Sequence, residues 1–107
     1  MGGIDILNDT QGVDFRPYVK GMVRRVRDNW HKLVPATSES SKGKLAIEFA
    51  IKKDGDIATM CLVATSGDVT LDRAAWGGIT ASNPFSALPS DFKGSYLAVR
   101  FRFSYNP

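Results

Sequence analysis

The sequence has little of the chemistry that metal sites, disulfide frameworks and hydrolytic active sites require. Cys61 is the only cysteine and His31 is the only histidine among its 107 residues. A single cysteine forms no internal disulfide, and it indicates no redox compartment. The two residues are far apart in the sequence and lack a carboxylate cluster, which argues against a zinc site. We therefore expect no metal and no cofactor.

Motifs that would support catalysis are also missing. Asp54 and Asp56 flank a glycine and are explained by turn chemistry. Asp68 and Asp72 suit the cap and first turn of a helix. The sequence has no G-x-x-x-x-G-K phosphate loop, and His31 is predicted on the polar side of a helix, without a serine partner. We therefore predict that no residue is catalytic and that the chain is not an enzyme.

Long apolar runs are absent as well. None approaches the roughly 18 residues that a membrane span needs, and the first residues do not resemble a signal peptide. Any targeting segment is therefore expected upstream of residue 1. Residues 1–13 lack periodicity and are predicted to be a flexible tail or the end of a linker. Residues 14–107 have the length of one domain.

Positive charge is concentrated in one segment, although the net charge is only +3. Six basic residues lie between Phe15 and Val34: Arg16, Lys20, Arg24, Arg25, Arg27 and Lys32. Such a face could meet nucleic acid, an anionic membrane or an acidic partner, but a solvated helix face is the simpler interpretation. Phe101 and Phe103 fall on the apolar side of a predicted strand, and an RNP-type signature is missing. We expect no nucleic-acid partner, and keep a nucleic-acid-binding module only as an alternative.

Hydrophobic spacing predicts two helices. Residues 14–34 form the first, with Asp14 as N-cap and Pro35 as the stop. Its apolar face is built from Val19, Met22, Val26, Trp30 and Leu33. Residues 69–80 form the second, with small residues on the buried face and Trp76 expected in the core. Its apolar face is built from Leu71, Ala74, Ala75 and Ile79.

Alternating apolar residues predict three strands, at 44–52, 56–65 and 95–105. The first two are joined by a hairpin turn in which Gly55 is available for positive φ. The register of the second strand is open, because strict alternation and a bulge near Ala58 select different inward residues. Alternation selects Thr59, Cys61 and Val63, whereas the bulge selects Met60, Leu62 and Ala64. The bulge is favoured, since it turns larger apolar groups inward.

The order helix, strand, strand, helix, strand predicts an α+β fold of two layers. A strand-helix-strand crossover returns the last strand parallel to the second. Placing the last strand beside the first gives a three-stranded antiparallel sheet ordered 2-1-3, with both helices on one face. The last strand then forms an edge with unpaired backbone donors and acceptors.

The sequence resembles the TonB/TolA family of C-terminal domains. The matching segments are V-R-D-N-W at 26–30, G-K-L-A-I-E-F-A-I followed by K-D-G-D-I, A-T-S-G-D-V-T-L-D-R-A-A-W at 64–76, N-P-F-S-A-L-P at 83–89, and a closing strand with F-R-F. The S-G…L-D-x-A-A segment followed by the P-F-x-x-L-P loop is the most specific part. The resemblance covers roughly residues 14–107.

The resemblance implies a periplasmic binding domain that a linker joins to an inner-membrane helix and a proton-driven motor, in segments absent here. TonB-type members bind a short peptide of an outer-membrane transporter, and TolA-type members bind proteins of the cell envelope; both alternatives stay open. An extended peptide can add to the edge of the last strand. The predicted partner-binding residues are Ser95, Tyr96, Ala98, Arg100, Arg102 and Ser104. Edge strands can also pair between copies, so a weak homodimer is a further expectation.

Overall fold

Two helices pack together on one face of a four-stranded antiparallel sheet in the computed structural model, which describes residues 3–33 and 43–105. The elements in chain order are β1 (Ile4–Ile6), α1 (Arg16–Leu33), β2 (Gly43–Lys52), β3 (Ile57–Ala64), α2 (Val69–Thr80) and β4 (Tyr96–Tyr105). The strand order is β1-β4-β2-β3. The predicted stop at Pro35 and the loop that follows it lie outside the described residues, up to position 42.

The three predicted strands lie in the predicted order, but the prediction of a three-stranded sheet was wrong. A fourth strand, β1, comes from the segment that was predicted to be a tail, and it pairs with β4. Only Ile4 and Ile6 alternate with a polar residue there, and one such repeat is too short for a periodic pattern to indicate a strand. β1 is a strand because β4 offers it a backbone ladder.

The β2–β3 hairpin contains the predicted bulge. Ala50 pairs with Thr59 and Ile51 pairs with Ile57, so Ala58 is the extra residue. Met60 consequently packs against the core, as the bulge predicted.

A second irregularity at Val63 limits that prediction. Ile47 pairs with Leu62, whereas Ala46 pairs with Ala64. Because opposite residues share a face, Ala64 is turned to the side away from the helices. Leu62 stays on the helix side but is 39% exposed, so neither residue is buried as expected.

The core lies between the helices and the sheet. Both predicted helix faces contribute to it, through Met22, Val26 and Trp30 of α1 and the four predicted residues of α2. Leu33 is 47% exposed, because it lies at the end of α1 beside Gly77 rather than over the sheet. Trp76 is 37% exposed, so its expected core position was wrong. It lies on α2 one turn after Asp72.

Glycine allows the two helices to approach closely. A Cβ at Gly78 would lie 2.9 Å from Cβ of Trp30 and 3.1 Å from its Cα. Glycine costs helix stability, by about 1 kcal/mol relative to alanine, and the close approach explains why it stands here. The indole N–H of Trp30 in turn donates to the Tyr105 hydroxyl, which donates to the Leu71 carbonyl at 2.7 Å. One hydrogen-bonded chain therefore joins α1, β4 and α2.

The proline-containing loop after α2 packs against the β2–β3 turn. Phe85 is buried and stacks on Phe49 with ring centroids 5.9 Å apart. The Phe85 amide donates to the Gly55 carbonyl at 2.9 Å, and the Leu88 amide donates to the Lys53 carbonyl at 3.0 Å. The K-D-G-D turn and the P-F-x-x-L-P loop are therefore two sides of one contact.

Candidate functional site

The predicted partner-binding residues lie together on β4. Ser95 precedes the strand, and the other five alternate with buried residues along it. Since successive side chains of a strand point to opposite faces, Tyr96, Arg100 and Arg102 are exposed on the face away from the helices. Ala98 and Ser104 on the same face are partly buried. The sequence thus placed these side chains on one surface.

The backbone edge of β4 is not open, contrary to the prediction. β1 pairs along it, with Ile4 opposite Phe101 and Ile6 opposite Val99. Beyond this short ladder, the Arg102 amide donates to the Gly3 carbonyl at 2.9 Å. The sequence-based topology left the edge free because it assigned residues 1–13 no structure.

The β1 ladder is extended by a side chain. The Leu7 amide donates to the Ala98 carbonyl at 2.8 Å. Asn8 then uses its side-chain amide in place of its backbone: Oδ1 accepts the Ala98 amide at 2.9 Å, and Nδ2 donates to the Tyr96 carbonyl at 3.0 Å. Asn8 therefore occupies the donor and the acceptor that a longer partner strand would use.

β1 covers only part of the edge. β4 runs from Tyr96 to Tyr105, whereas the β1 contacts end at Arg102. Within residues 3–33 and 43–105, no strand pairs with Ser104 on that side.

The apolar side chains of β1 are only half buried. Ile4 and Ile6 point to the helix side and pack against the edge of the core. Beside them, between β1 and the first half of α1, an open groove of about 500 Å³ is lined by Phe15 and Val19 and bordered by Lys20. This groove has apolar walls and a basic rim.

Charged groups lie in a row across β1, β4 and β2, on the face of the sheet away from the helices. Arg100 donates to Glu48 on β2, with its Nε 2.8 Å from Oε2. Asp5 of β1 stands opposite Arg100 in the ladder, but its carboxylate pairs with Arg102 at 3.3 Å. Asp5 and Arg102 are both about half exposed, at 49% and 53%, so this pair stabilises β1 only slightly, by roughly 0.2–1 kcal/mol.

The attachment of β1 is weak in energetic terms. Ordering residues 3–8 costs roughly 6–12 kcal/mol of backbone entropy. The hydrogen bonds of the ladder and of Asn8 return roughly 3–9 kcal/mol, and two half-buried isoleucines return roughly 2–3 kcal/mol. The two ranges overlap, so these estimates assign β1 no large net stabilisation.

Two residues of this site were missed in the sequence: Asp5 and Asn8. Both lie in the segment predicted to be a tail. The alternation Ile-Asp-Ile was the available signal, but three residues do not distinguish a strand from a loop. Their roles depend on contacts with residues more than 80 positions away.

The basic face of α1 includes residues with structural partners. The Arg25 guanidinium donates to the Pro84 carbonyl at 2.8 Å and so holds the proline loop. Arg16 pairs with Asp14 at 2.9 Å, and its hydrogen bonds lower the pKa of the Asp14 carboxyl to about 2. These contacts give structural partners to two of the six basic residues of the segment.

The titratable groups with shifted pKa values belong to the framework. Burial raises the pKa of Tyr105 to about 12. Burial also raises the pKa of Asp72, but hydrogen bonds from the Thr65 and Ser66 hydroxyls and the Ser66 amide lower it more, so the net shift is downward. Over the part of the chain that is described, there is no group of three or more potential metal ligands, and neither helix is long and apolar enough to cross a membrane.

Comparison with known proteins gives a family assignment. A family model described as "TonB C terminal" matches residues 15–103 and thus leaves β1 outside. Protein TonB of Haemophilus influenzae is 30% identical over 76 residues, which cover 69% of this chain and 28% of that protein. The chain therefore corresponds to little more than a quarter of that relative's length. No solved structure matches. From its helices, sheet and matched residues, the chain belongs to the TonB C-terminal domain family.

Proposed function

We propose that this chain is the periplasmic C-terminal domain of a TonB-like energy transducer. It binds a short extended segment of an outer-membrane transporter and couples transport to the proton motive force of the inner membrane. Family membership and the similarity to a protein named TonB support this role. The linker, the membrane anchor and the contact with the motor belong to other segments of the full-length protein. The domain itself binds and transmits force without catalysis.

The proposed binding mode is strand addition at β4. The observation that carries it is that the outer edge of the ten-residue β4 is paired with a strand of only three residues, which Gly3, Leu7 and the Asn8 side chain extend at its ends. Edge backbone groups supply affinity in such complexes, and the side chains beside them supply specificity. Here the side chains would be those of Tyr96, Arg100 and Arg102. The incoming segment takes the place of β1.

A force-transmitting contact at β4 would load the centre of the domain. β4 pairs along its whole length with β2. Its core-facing side, which includes Phe101 and Phe103, is fully buried under the helices. Tension applied along the added strand would therefore act on backbone hydrogen bonds in shear, and the core would resist it.

The binding mode is tested by an amide-shift titration with synthetic peptides from the periplasmic ends of outer-membrane transporters of the same organism. Binding should shift the amides of residues 96–104 and release the Leu7 amide from its hydrogen bond. Asn8→Ala should tighten binding, because it removes two contacts that hold β1. Thr59→Ala, an exposed change on β3 at the opposite edge, is the matched control. Saturating peptide that leaves β4 unshifted, or that shifts only β3, would refute the site.

A further inference from the structure

We infer that β1 is an internal mimic of the partner strand, and that the partner segment therefore carries an acidic residue between two apolar residues. The inference rests on the proposed function, because it describes the ligand of the same β4 edge. It uses the side chains that β1 places on either face of the sheet. The pattern to be recognised is the one at Ile4, Asp5 and Ile6.

The apolar positions are defined by the helix side of the sheet. Ile4 lies opposite Phe101 and Ile6 lies opposite Val99, and both partners are fully buried. The open groove continues from these two isoleucines to Phe15 and Val19 of α1. A partner side chain larger than isoleucine could extend into that groove, whereas a basic side chain there would lose hydration beside Arg16 and Lys20, which carry the same charge.

The acidic position of the inferred pattern is defined by the face of the sheet away from the helices. Asp5 is directly opposite Arg100 and 3.3 Å from Arg102. Arg100 is already paired with Glu48, so the group available to a partner is Arg102, which binds only Asp5 among the described residues. A carboxylate between the two apolar residues therefore meets the positive charge of Arg102, and a lysine there meets repulsion from it.

The position of β1 in the chain supports its role as a competitor. The family model matches residues 15–103, so the strand that occupies the site lies outside the matched domain. An external segment has to displace β1. The apparent affinity of that segment is its intrinsic affinity multiplied by the fraction of molecules in which β1 is released. The same chain thus supplies both the site and a weak internal ligand for it.

The test uses the full chain with β1 weakened by Ile4→Asn, Ile6→Asn and Asn8→Ala, changes that leave β4 intact. The probe is a synthetic peptide with the sequence Gly-Gly-Ile-Asp-Ile-Leu-Asn, compared with the same peptide carrying lysine instead of aspartate. Binding is followed by calorimetry and by the amide shifts of β4. We expect the lysine peptide to bind about tenfold more weakly at low salt. Arg102→Glu should reverse this ranking.

Lys52→Glu is the matched control, because Lys52 lies on the same face of the sheet but opposite Tyr96, six residues along β4 from Arg102. It should leave the ranking unchanged. If the triple variant does not fold, the same ranking is expected with the unmodified chain, read from the Leu7 amide as peptide displaces β1. Equal binding of the two peptides, or a ranking that Arg102→Glu leaves unchanged, would overturn the inference.

The two proposals fail in different ways. Transporter peptides that bind β4 equally well with and without an acidic residue would remove the inferred pattern and leave the proposed function standing. Preferential binding of the aspartate peptide, together with no binding of transporter peptides, would support the pattern and remove the transporter as partner.

Discussion

Replacement of Gly55 by alanine perturbs the contact between the β2–β3 turn and the proline loop. Gly55 has a φ of +96°, a region that side-chain-bearing residues rarely adopt. A Cβ there would lie 2.0 Å from the carbonyl oxygen of Phe85 and 2.9 Å from that of Ser86. Both neighbours are backbone atoms, so the substitution can be accommodated only if the loop moves away from the turn.

The expected loss of stability has three parts. A left-handed backbone costs roughly 1–2 kcal/mol for a residue with a Cβ. The loop movement weakens the hydrogen bonds to Gly55 and Lys53, each worth roughly 0.5–1.5 kcal/mol. It also exposes part of Phe85 and Leu88, and full burial of such side chains is worth about 1.5–3 kcal/mol each. We expect Gly55→Ala to lower the unfolding free energy by at least about 3 kcal/mol, a large fraction of an ordinary domain's stability.

Gly67→Ala is the matched control. Gly67 has a φ of +86°, but nothing lies within 4 Å of the position its Cβ would take. It should therefore show the backbone cost alone, roughly 1–2 kcal/mol. Urea unfolding followed by tryptophan fluorescence measures both variants. Equal losses for the two would show that the turn–loop contact contributes nothing beyond backbone geometry, which would refute the reasoning.

Three further predictions concern the framework that holds β4. Tyr105→Phe removes the hydroxyl that links Trp30 to α2 and leaves a buried indole N–H unpaired. It should therefore lower the free energy of unfolding in urea by about 1–3 kcal/mol. A loss under about 0.5 kcal/mol would contradict this. Asp72 has a lower pKa in the folded chain, so its contribution is present above about pH 4 and is lost as the pH falls through the folded value. Asp72→Asn should accordingly destabilise by about 1 kcal/mol at pH 7, with a difference that shrinks in acid; a pH-independent difference would argue against it. Gly78→Ala should cost about 1–3 kcal/mol despite alanine's better helix propensity, because its Cβ meets Trp30, and a stabilised variant in thermal unfolding would be the contrary result.

The residues of β4 show which features of the candidate site can be predicted from the sequence. Alternation placed Arg100 and Arg102 on the face away from the core, and the structure has them there. The same pattern could not show that Asp5 and Asn8 would reach β4, because hydrogen bonding between distant segments leaves no local periodic signal. The predicted open edge was wrong for this reason, although binding at this edge stays a proposal.

The amino-acid sequence by itself determined the two helices, the three long strands and the bulge at Ala58, because each is encoded by local spacing of apolar residues and by turn chemistry. Tertiary structure alone decided what lies at the edge of β4. A three-residue strand has no independent stability, and it forms only where an existing strand supplies its hydrogen bonds and an existing core receives its two isoleucines. Tertiary structure likewise decided the exposure of Trp76 and Leu62, since helix position and a second bulge fix which side of an amphipathic element is covered.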